Sequence, residues 1–486
     1  MTGGSLKWID PLVDRCGFGR YQILLLIQTG ATTFASASMF VILGSMVTHL
    51  PLRSWGVTGV EAGLLQSAIF VGITVGTLFG GIFADRYGRR SAVLISYTFL
   101  LFAGSMFVIA HGYKVMVAAC LLFGAVSGFA LPAMNSLLLE SSPSGRRGEL
   151  VCLSALLWFL GELYGAGCVW FIGALPEVSS TLLNWRACFL CGFLPVAPVV
   201  VYSYFSLQES PRFLANQGRL NEVDACLITM ARINGISNPQ TTQDAEIPPG
   251  TPQFTEKEPA PNVSLEKSLL LLTRWPINVS TAGLMVVCLV CNFAYFGLIF
   301  ALPQILRDQM GALRIVGGAS VQVFVVTLFK VPGICVAYLL LRMPHIGHKT
   351  SLASLLFATS CTAWAFPEMM DIGLISGAFV SACGLKLAIS AAFIITYVFV
   401  LEVYPTQVRS TGMAFCTMVG RIGSIMSPLV HSYAVTHSGH NAYFFTIALF
   451  TVLAGATAMF IPIDTKGRPL GEGEESETSR LLGWQK

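Results

Sequence analysis

The sequence predicts an all-α integral membrane protein with twelve transmembrane helices, arranged as two six-helix bundles. Three observations predict it. First, 54% of the 486 residues are hydrophobic and only 11% are charged, against roughly 25% charged in soluble domains; mean hydropathy is +0.69. Second, the chain holds twelve apolar runs of about the length a helix needs to cross a bilayer. Third, two loop motifs recur between the halves at nearly one offset.

The runs lie at roughly 21–48, 60–84, 91–110, 114–139, 150–174, 185–206, 277–304, 315–341, 350–366, 372–401, 410–436 and 441–463. Each is read as a helix, because lipid leaves backbone groups no outside partner and the runs are too long for barrel strands. Met1 to Arg20 has no apolar core, so the first span serves as the insertion signal. Of the 29 Lys and Arg residues, 21 fall in segments that are cytoplasmic if both termini are cytoplasmic, five fall outside and three within spans. That asymmetry predicts the orientation.

The repeat is read from loops. Glu140-x-x-Pro143-x-x-x-Arg147 follows span 4, and Glu402-x-x-Pro405-x-x-x-Arg409 follows span 10, 262 residues later. Gly347-His348-Lys349 answers Gly88-Arg89-Arg90 at an offset of 259, with Pro344 where the first copy has Asp85. Two motifs at nearly one offset argue for related bundles, the parallel-repeat plan of transporters. The expected domains are an N-terminal bundle over 1–206, a cytoplasmic linker with short helices over 207–276, a C-terminal bundle over 277–463 and a cytoplasmic tail over 464–486. In the linker, Ser210 before Pro211 reads as the start of a helix over about 210–233, Ser as N-cap and Pro in the first turn. Asn238 to Pro261, rich in Pro, Thr, Gln and Glu, reads as mobile.

Gly81-Ile-Phe-Ala-Asp85-Arg86-Tyr-Gly88-Arg89-Arg90 resembles the loop between helices 2 and 3 of major facilitator transporters. Further stretches narrow the likeness to one branch. Gly17-Phe18-Gly19-Arg20-Tyr21-Gln22 resembles the entry motif of the synaptic-vesicle-glycoprotein-related and plant organic-ion transporter group. Glu209-Ser-Pro-Arg212-Phe-Leu, Leu401-Glu402-Val-Tyr404-Pro405-Thr-Gln-Val-Arg409-Ser-Thr-Gly412 and Asp464-Thr465-Lys466-Gly467-Arg468 are similar to that group and to the animal organic-ion transporters. The loop at about 49–59 is short where the animal organic-ion transporters carry a large domain. Ala35-Ser36-Ala37-Ser38-Met39 holds none of the span-1 acids frequent in the vesicle-related group. Asn292-Phe-Ala-Tyr295-Phe296 does not match the span-7 signature of sugar porters.

Charges inside spans are functional suspects, because each costs at least ~2.5–3.5 kcal/mol on insertion scales. Lys386 stands near the middle of span 10 and Arg421 near the middle of span 11. The resemblance implies that bases at these positions belong to anion-handling members, and two fixed positive charges suit a carboxylate; structural pairing is the alternative. Glu162 in span 5 is the acid deep in an N-terminal span, a proton carrier or a counter-ion. Lys330 in span 8 reads as structural or gating, and His431 in span 11 as a packing histidine. Trp158, Tyr295, Phe296 and Tyr397 are candidate cavity aromatics.

Gate roles fall on Asp85, Arg86, Gly88, Arg89, Arg90, Glu140, Arg147, Glu209, Arg212, Glu402 and Arg409. Asp85 is expected to accept from a neighbouring helix N-terminus, and Arg86, Arg89, Glu140, Arg147, Glu402 and Arg409 to pair across the cytoplasmic face in the outward-open state and part in the inward-open state. Glu477-Thr-Ser-Arg480-Leu481-Leu482 resembles an acidic dileucine sorting signal, read by clathrin-adaptor-type machinery. Asn278-Val-Ser280 matches a glycosylation acceptor on the wrong side for use.

The expected function is secondary active transport, by alternating access, of a small organic anion such as an aromatic monocarboxylate, with a proton or counter-ion coupled. An organic cation or zwitterion carrier using Glu162 and a non-transporting receptor or sorting protein are the alternatives. Composition and motifs point away from an enzyme, a nucleotide site, a metal site, a cofactor and nucleic acid. Most cysteines (Cys120, Cys152, Cys168, Cys288, Cys335, Cys383, Cys416) sit inside apolar runs as small apolar residues. The expected location is an endosomal, lysosomal or vesicle membrane, or the plasma membrane.

Overall fold

The computed structural model describes residues 8–47, 54–57, 59–173, 181–236, 273, 275, 277–310, 318–343, 346–404 and 409–462. They are helical: α1 (Ile9–Arg15), α2 (Arg20–Met46), α3 (Gly59–Tyr87), α4 (Arg89–Ile109), α5 (Tyr113–Glu140), α6 (Arg147–Gly173), α7 (Thr181–Phe193), α8 (Val196–Ser206), α9 (Pro211–Asn216), α10 (Leu220–Asn234), α11 (Ile277–Met310), α12 (Gly318–Leu328), α13 (Lys330–Arg342), α14 (His348–Asp371), α15 (Ile375–Val403), α16 (Arg409–His437) and α17 (His440–Phe460). They form two compact units, one of residues 1–56 and 68–262, the other of 57–67 and 263–486.

Eleven helical stretches among the described residues are long and apolar enough to cross a bilayer. The twelfth span is α14, 24 residues long. It is more polar than the others, and its hydroxyls are satisfied at short range. Ser351, Ser354, Thr359 and Thr362 donate to carbonyls of α14 itself or its cap, and Ser360 donates to the Ala448 carbonyl. Hydroxyls bonded in this way are tolerated in lipid.

Small residues set the packing inside unit 1. Gly72, Gly76 and Gly80 recur every four residues along α3, and Gly124 and Gly128 do so along α5. A Cβ on Gly76 or Gly80 would overlap the carbonyl of Ala125 or Phe129, and one on Gly124 or Gly128 that of Ile69 or Ile73. The two backbones therefore touch, the approach that glycine at this spacing permits in a membrane. Gly161 of α6 lies likewise on the Phe34 carbonyl of α2, and Gly423 of α16 on the Leu289 carbonyl of α11. These two glycines stand 262 positions apart, the spacing of the Glu-x-x-Pro-x-x-x-Arg motif.

Three elements differ from the sequence reading. Span 6 is two helices, α7 and α8, broken at Pro195. Proline has no N–H for the Cys191 carbonyl, and the Tyr164 hydroxyl donates to that carbonyl instead, at 2.9 Å. Span 8 is also two helices, parted at Phe329, whose N–H bonds the Val326 carbonyl three residues back. The ring of Pro332 disfavours a regular turn over Leu328. The single helix expected over 210–233 is α9 and α10, parted where Gly218 turns with φ +69°. Ser210 caps α9 by accepting from the Phe213 N–H at 3.2 Å.

Candidate functional site

In unit 2 the chemistry-bearing side chains gather around one ring. Tyr295 lies on α11. The Lys330 ammonium, at the start of α13, donates to the Tyr295 hydroxyl at 2.6 Å and lies 5.2 Å from the ring centre. The Lys386 ammonium on α15 lies 5.0 Å from the same centre. Both lysines are buried, with 6% and 5% of their surface exposed. Phe393 stacks on Tyr295 with centroids 4.5 Å apart, Phe296 stands edge-on to it at 5.1 Å, and Tyr397 tilts against Phe393 at 4.9 Å. The Asn292 amide donates to the Tyr397 hydroxyl at 3.2 Å, and Ser424 donates to the Asn292 carbonyl oxygen at 3.4 Å. Gly420, next to Arg421, lets α16 close on Asn292. Arg421 is half-buried and forms no hydrogen bond or ion pair among the described residues.

Two ammonium groups on one ring lie within about 10 Å of each other. At an effective dielectric near 20 they repel by about 2 kcal/mol. The Tyr295 hydroxyl offsets part of this by accepting from Lys330, and the ring offsets part at Lys386, at about 0.5–2 kcal/mol.

The structure thus brings together Lys386, Tyr295, Phe296 and Tyr397, and adds Lys330, Phe393 and Asn292. Lys330 was set apart by its sequence neighbours, Val331-Pro332-Gly333. Its link to Tyr295 spans 35 residues, and only the helix packing reveals it.

Glu162 and Trp158 belong to unit 1. Glu162 is fully buried, and the Trp158 indole N–H donates to its carboxylate at 2.6 Å. Trp158 leans on Phe40, which stacks on Phe70. The other charges of α2 to α8 stand near helix ends, except Arg186 in α7, which donates to the carbonyls of Val108 and Ala110.

The gate residues of unit 1 form one network within that unit. Gly88 turns with φ +100°, and a Cβ there would strike the Glu209 carboxylate. That carboxylate accepts from the main-chain N–H groups of Arg89 at 3.0 Å, Arg90 at 3.1 Å and Ser210 at 2.9 Å. Glu209, not Asp85, therefore caps α4. Asp85 is largely exposed and pairs with Arg89 one turn on, at 3.3 Å. Arg89 also pairs with Glu140 at 3.3 Å and lies over the Phe213 ring. Arg90 donates to the Leu207 carbonyl at 2.7 Å, and Ser210 donates to Glu140. Arg86 is exposed against Tyr87. Burial pushes the Glu209 carboxyl above its ordinary value, although the N–H groups of Ser210, Arg90 and Arg89 and the Arg89 charge pull the other way.

Arg147 and Arg212 meet on Asp10 of α1, a residue the sequence reading passed over. Arg147 reaches it at 3.0 Å and Arg212 bonds the same oxygen. Their separations of 137 and 202 residues leave no local signal. Burial alone pushes Asp10 up, but the hydrogen bonds and charges of Arg212 and Arg147 together hold it below the usual carboxylate range. Its contribution is therefore full above the ordinary carboxylate pKa of ~3.9 and is lost as pH falls through the lowered value. Asp10→Asn is expected to raise amide exchange of α1 at pH 7 by about fivefold to tenfold, given the partly exposed pair. The native protein shows the same loosening only below about pH 4. Equal α1 exchange in native and variant protein at pH 7 contradicts this.

In unit 2, Glu402 pairs with His348 at 2.6 Å. The Arg409 side chain, Pro405 and the sorting motif at Leu481 and Leu482 lie outside the described residues. The pairs named here lie within one unit each.

The profile of the sugar (and other) transporter family matches residues 27–476. An organic cation/carnitine transporter of Arabidopsis thaliana is 26% identical over 97% of both chains. The niacin transporter of Acinetobacter baylyi is 25% identical over 94% of this chain and 98% of its own. A synaptic vesicle 2-related protein of Xenopus laevis is 25% identical over 96% of this chain and 83% of its own. The inward-open xylose transporter of E. coli superposes with a TM-score of 0.72 at 16% identity, over 94% of this chain and 99% of that one, a likeness of fold. Twelve spans, a duplicated loop motif and this match over nearly the whole chain make the protein a multi-pass membrane transporter of organic solutes and not an enzyme, a member of the sugar (and other) transporter family within the major facilitator superfamily.

Proposed function

We propose that the protein carries small organic anions, aromatic monocarboxylates in particular, by alternating access. The observation that carries the reading is the pair of buried lysines on Tyr295, walled by Phe296 and Phe393. A carboxylate relieves the repulsion between the ammonium groups, and the aromatic wall takes a flat ring. Arg421 supplies a third positive charge, on α16. The niacin transporter among the relatives supports a substrate of this chemistry. The halves follow the boundaries at 206 and 277, with the gate motifs and both termini in the cytoplasm, where the basic loops concentrate.

The second reading, an organic cation or zwitterion carrier, is favoured by one observation: the buried Glu162 carboxylate beside Trp158, with the organic cation/carnitine relative in support. In the anion reading, Glu162 takes the coupling proton. The synaptic vesicle 2-related relative and the acidic dileucine stretch ending in Leu481-Leu482 support a vesicle or endolysosomal membrane, with adaptor-type sorting.

Uptake into proteoliposomes separates the readings. A panel of labelled aromatic acids, organic cations and carnitine-like zwitterions is run with and without an inward proton gradient. The proposal expects saturable acid uptake and little cation uptake. Cation uptake that persists in Lys386→Ala and Arg421→Ala and fails in Glu162→Gln overturns it. A protein that takes up nothing favours the receptor alternative.

A further inference from the structure

Four side chains of α15 form one stripe. At 3.6 residues per turn, Lys386, Ser390, Phe393 and Tyr397 fall within about 60° of its circumference. Three of them bear on the ring of Tyr295. The Lys386 ammonium lies 5.0 Å from the ring centre, Phe393 stacks on the ring at 4.5 Å, and Tyr397 tilts against Phe393 at 4.9 Å. Ser390 stands between Lys386 and Phe393 along the stripe. On its other side, about 60° further round α15, is Leu387. A Cβ on Gly333 would come within 2.7 Å of the Leu387 carbonyl oxygen, so α13, which begins at Lys330, closes on α15 there. Ser390 thus lies between the helix that carries Tyr295 and the helix that carries Lys330.

The Ser390 hydroxyl is unmet. The residue is 1% exposed, and its Oγ has no hydrogen-bond partner among the described residues. Serine and threonine in a helix can answer their own hydroxyl by donating to the carbonyl one turn back. Ser381 and Thr396 of α15 do so, to Gly377 and Ala392 at 2.9 and 2.8 Å. The Lys386 carbonyl stands in the same relation to Ser390, yet the hydroxyl does not bond it. Leaving a buried hydroxyl unmet costs stability. Local rules broken in this way concentrate at functional sites.

We propose that Ser390 is a specificity-determining residue of this site, whose hydroxyl donates to the carboxylate that the two lysines attract. The proposal rests on the anion reading. A carboxylate has two oxygens and about four acceptor positions, so it can take a third donor beside two ammonium groups. A hydroxyl supplies that donor without adding to the repulsion between the lysines. Its bond to a carboxylate is charge-assisted and therefore strong. It reads the carboxylate and is indifferent to the ring attached to it.

Saturation kinetics of benzoate and pyridine-3-carboxylate uptake into proteoliposomes test this, with the native protein, Ser390→Ala and Ser390→Cys. Cysteine is close to serine in shape but donates weakly. Both variants are expected to raise KM about tenfold or more, equally for the two acids, with the maximal rate within about twofold of native. Empty Ser390→Ala protein is expected to melt no lower than the native protein, because alanine removes an unmet group. Unchanged KM in Ser390→Ala overturns the proposal and leaves the anion reading standing. A loss confined to one acid means that the hydroxyl reads the ring, and overturns it too. An Ala variant that melts well below the native protein shows that the hydroxyl is already bonded, and removes the premise. Native protein that takes up neither acid defeats the anion reading itself, and the proposal falls with it.

Discussion

Lys386→Met is expected to lower uptake of an aromatic monocarboxylate by about a hundredfold, with the protein still folded. Methionine keeps the length and apolar stem of lysine, so the packing against Tyr295 survives and the charge alone is lost. Truncating one partner of a buried, hydrogen-bonded charge pair costs about 2–5 kcal/mol, and a hundredfold is about 2.7 kcal/mol. Lys330→Met should weaken uptake too, and for a second reason. Its ammonium holds the Tyr295 hydroxyl at 2.6 Å, so the variant also frees the ring on which Phe393 stacks. The two lysines share that ring, so their effects should not add. Uptake kinetics of the single and double variants decide this. Native rates in Lys386→Met, with an unchanged melting profile, make the lysine structural and remove the main support for an anion substrate.

Glu209→Ala is expected to destabilise the protein by about 2–4 kcal/mol. The carboxylate accepts from three main-chain N–H groups, those of Arg89, Arg90 and Ser210. Two of these are among the donors that the first turn of α4 leaves without helical partners. Alanine leaves all three unanswered and opens space beside Gly88, whose φ of +100° brings the carboxylate in close. Glu209→Gln keeps an acceptor oxygen and should lose less than half as much. Melting temperatures in detergent should rank native, Gln, Ala, with the Ala variant lower by about 5 °C or more. An Ala variant as stable as the native protein shows that this cap adds nothing.

Much of the fold was legible because lipid simplifies the problem. A span must be helical, must be about 20 residues long and must be apolar, so composition alone marks it. Basic loops and repeated motifs then mark ends and halves. The breaks were less legible. Pro195 and Pro332 stand in the sequence, but proline in a membrane helix can kink, break or pass unnoticed according to what answers the freed carbonyl. At Cys191 the answer is the Tyr164 hydroxyl, 27 residues away.

The candidate site divides in the same manner. Intramembrane charge drew attention to Lys386, Arg421 and Glu162, because the cost of burying charge is visible in any sequence. Pairing was not visible. Glu209 stood in a motif whose resemblance suggested a gate, yet its role as the cap of α4, 120 residues earlier, follows from helix packing. Gly347-His348-Lys349 answered Gly88-Arg89-Arg90 in the sequence, but the contact of His348 with Glu402 came only from the packing.

By itself, then, the sequence determined that this is a twelve-span transporter built on a repeat, because span length, hydropathy and motif spacing are properties of consecutive residues. Only the tertiary structure decided who meets whom: Asp10 with Arg147 and Arg212, Lys330 and Lys386 on Tyr295, Glu209 on α4. The physical reason is range. Hydrophobic transfer acts on each residue where it stands, whereas ion pairs and hydrogen bonds act over about 3 Å between groups that only packed helices bring together.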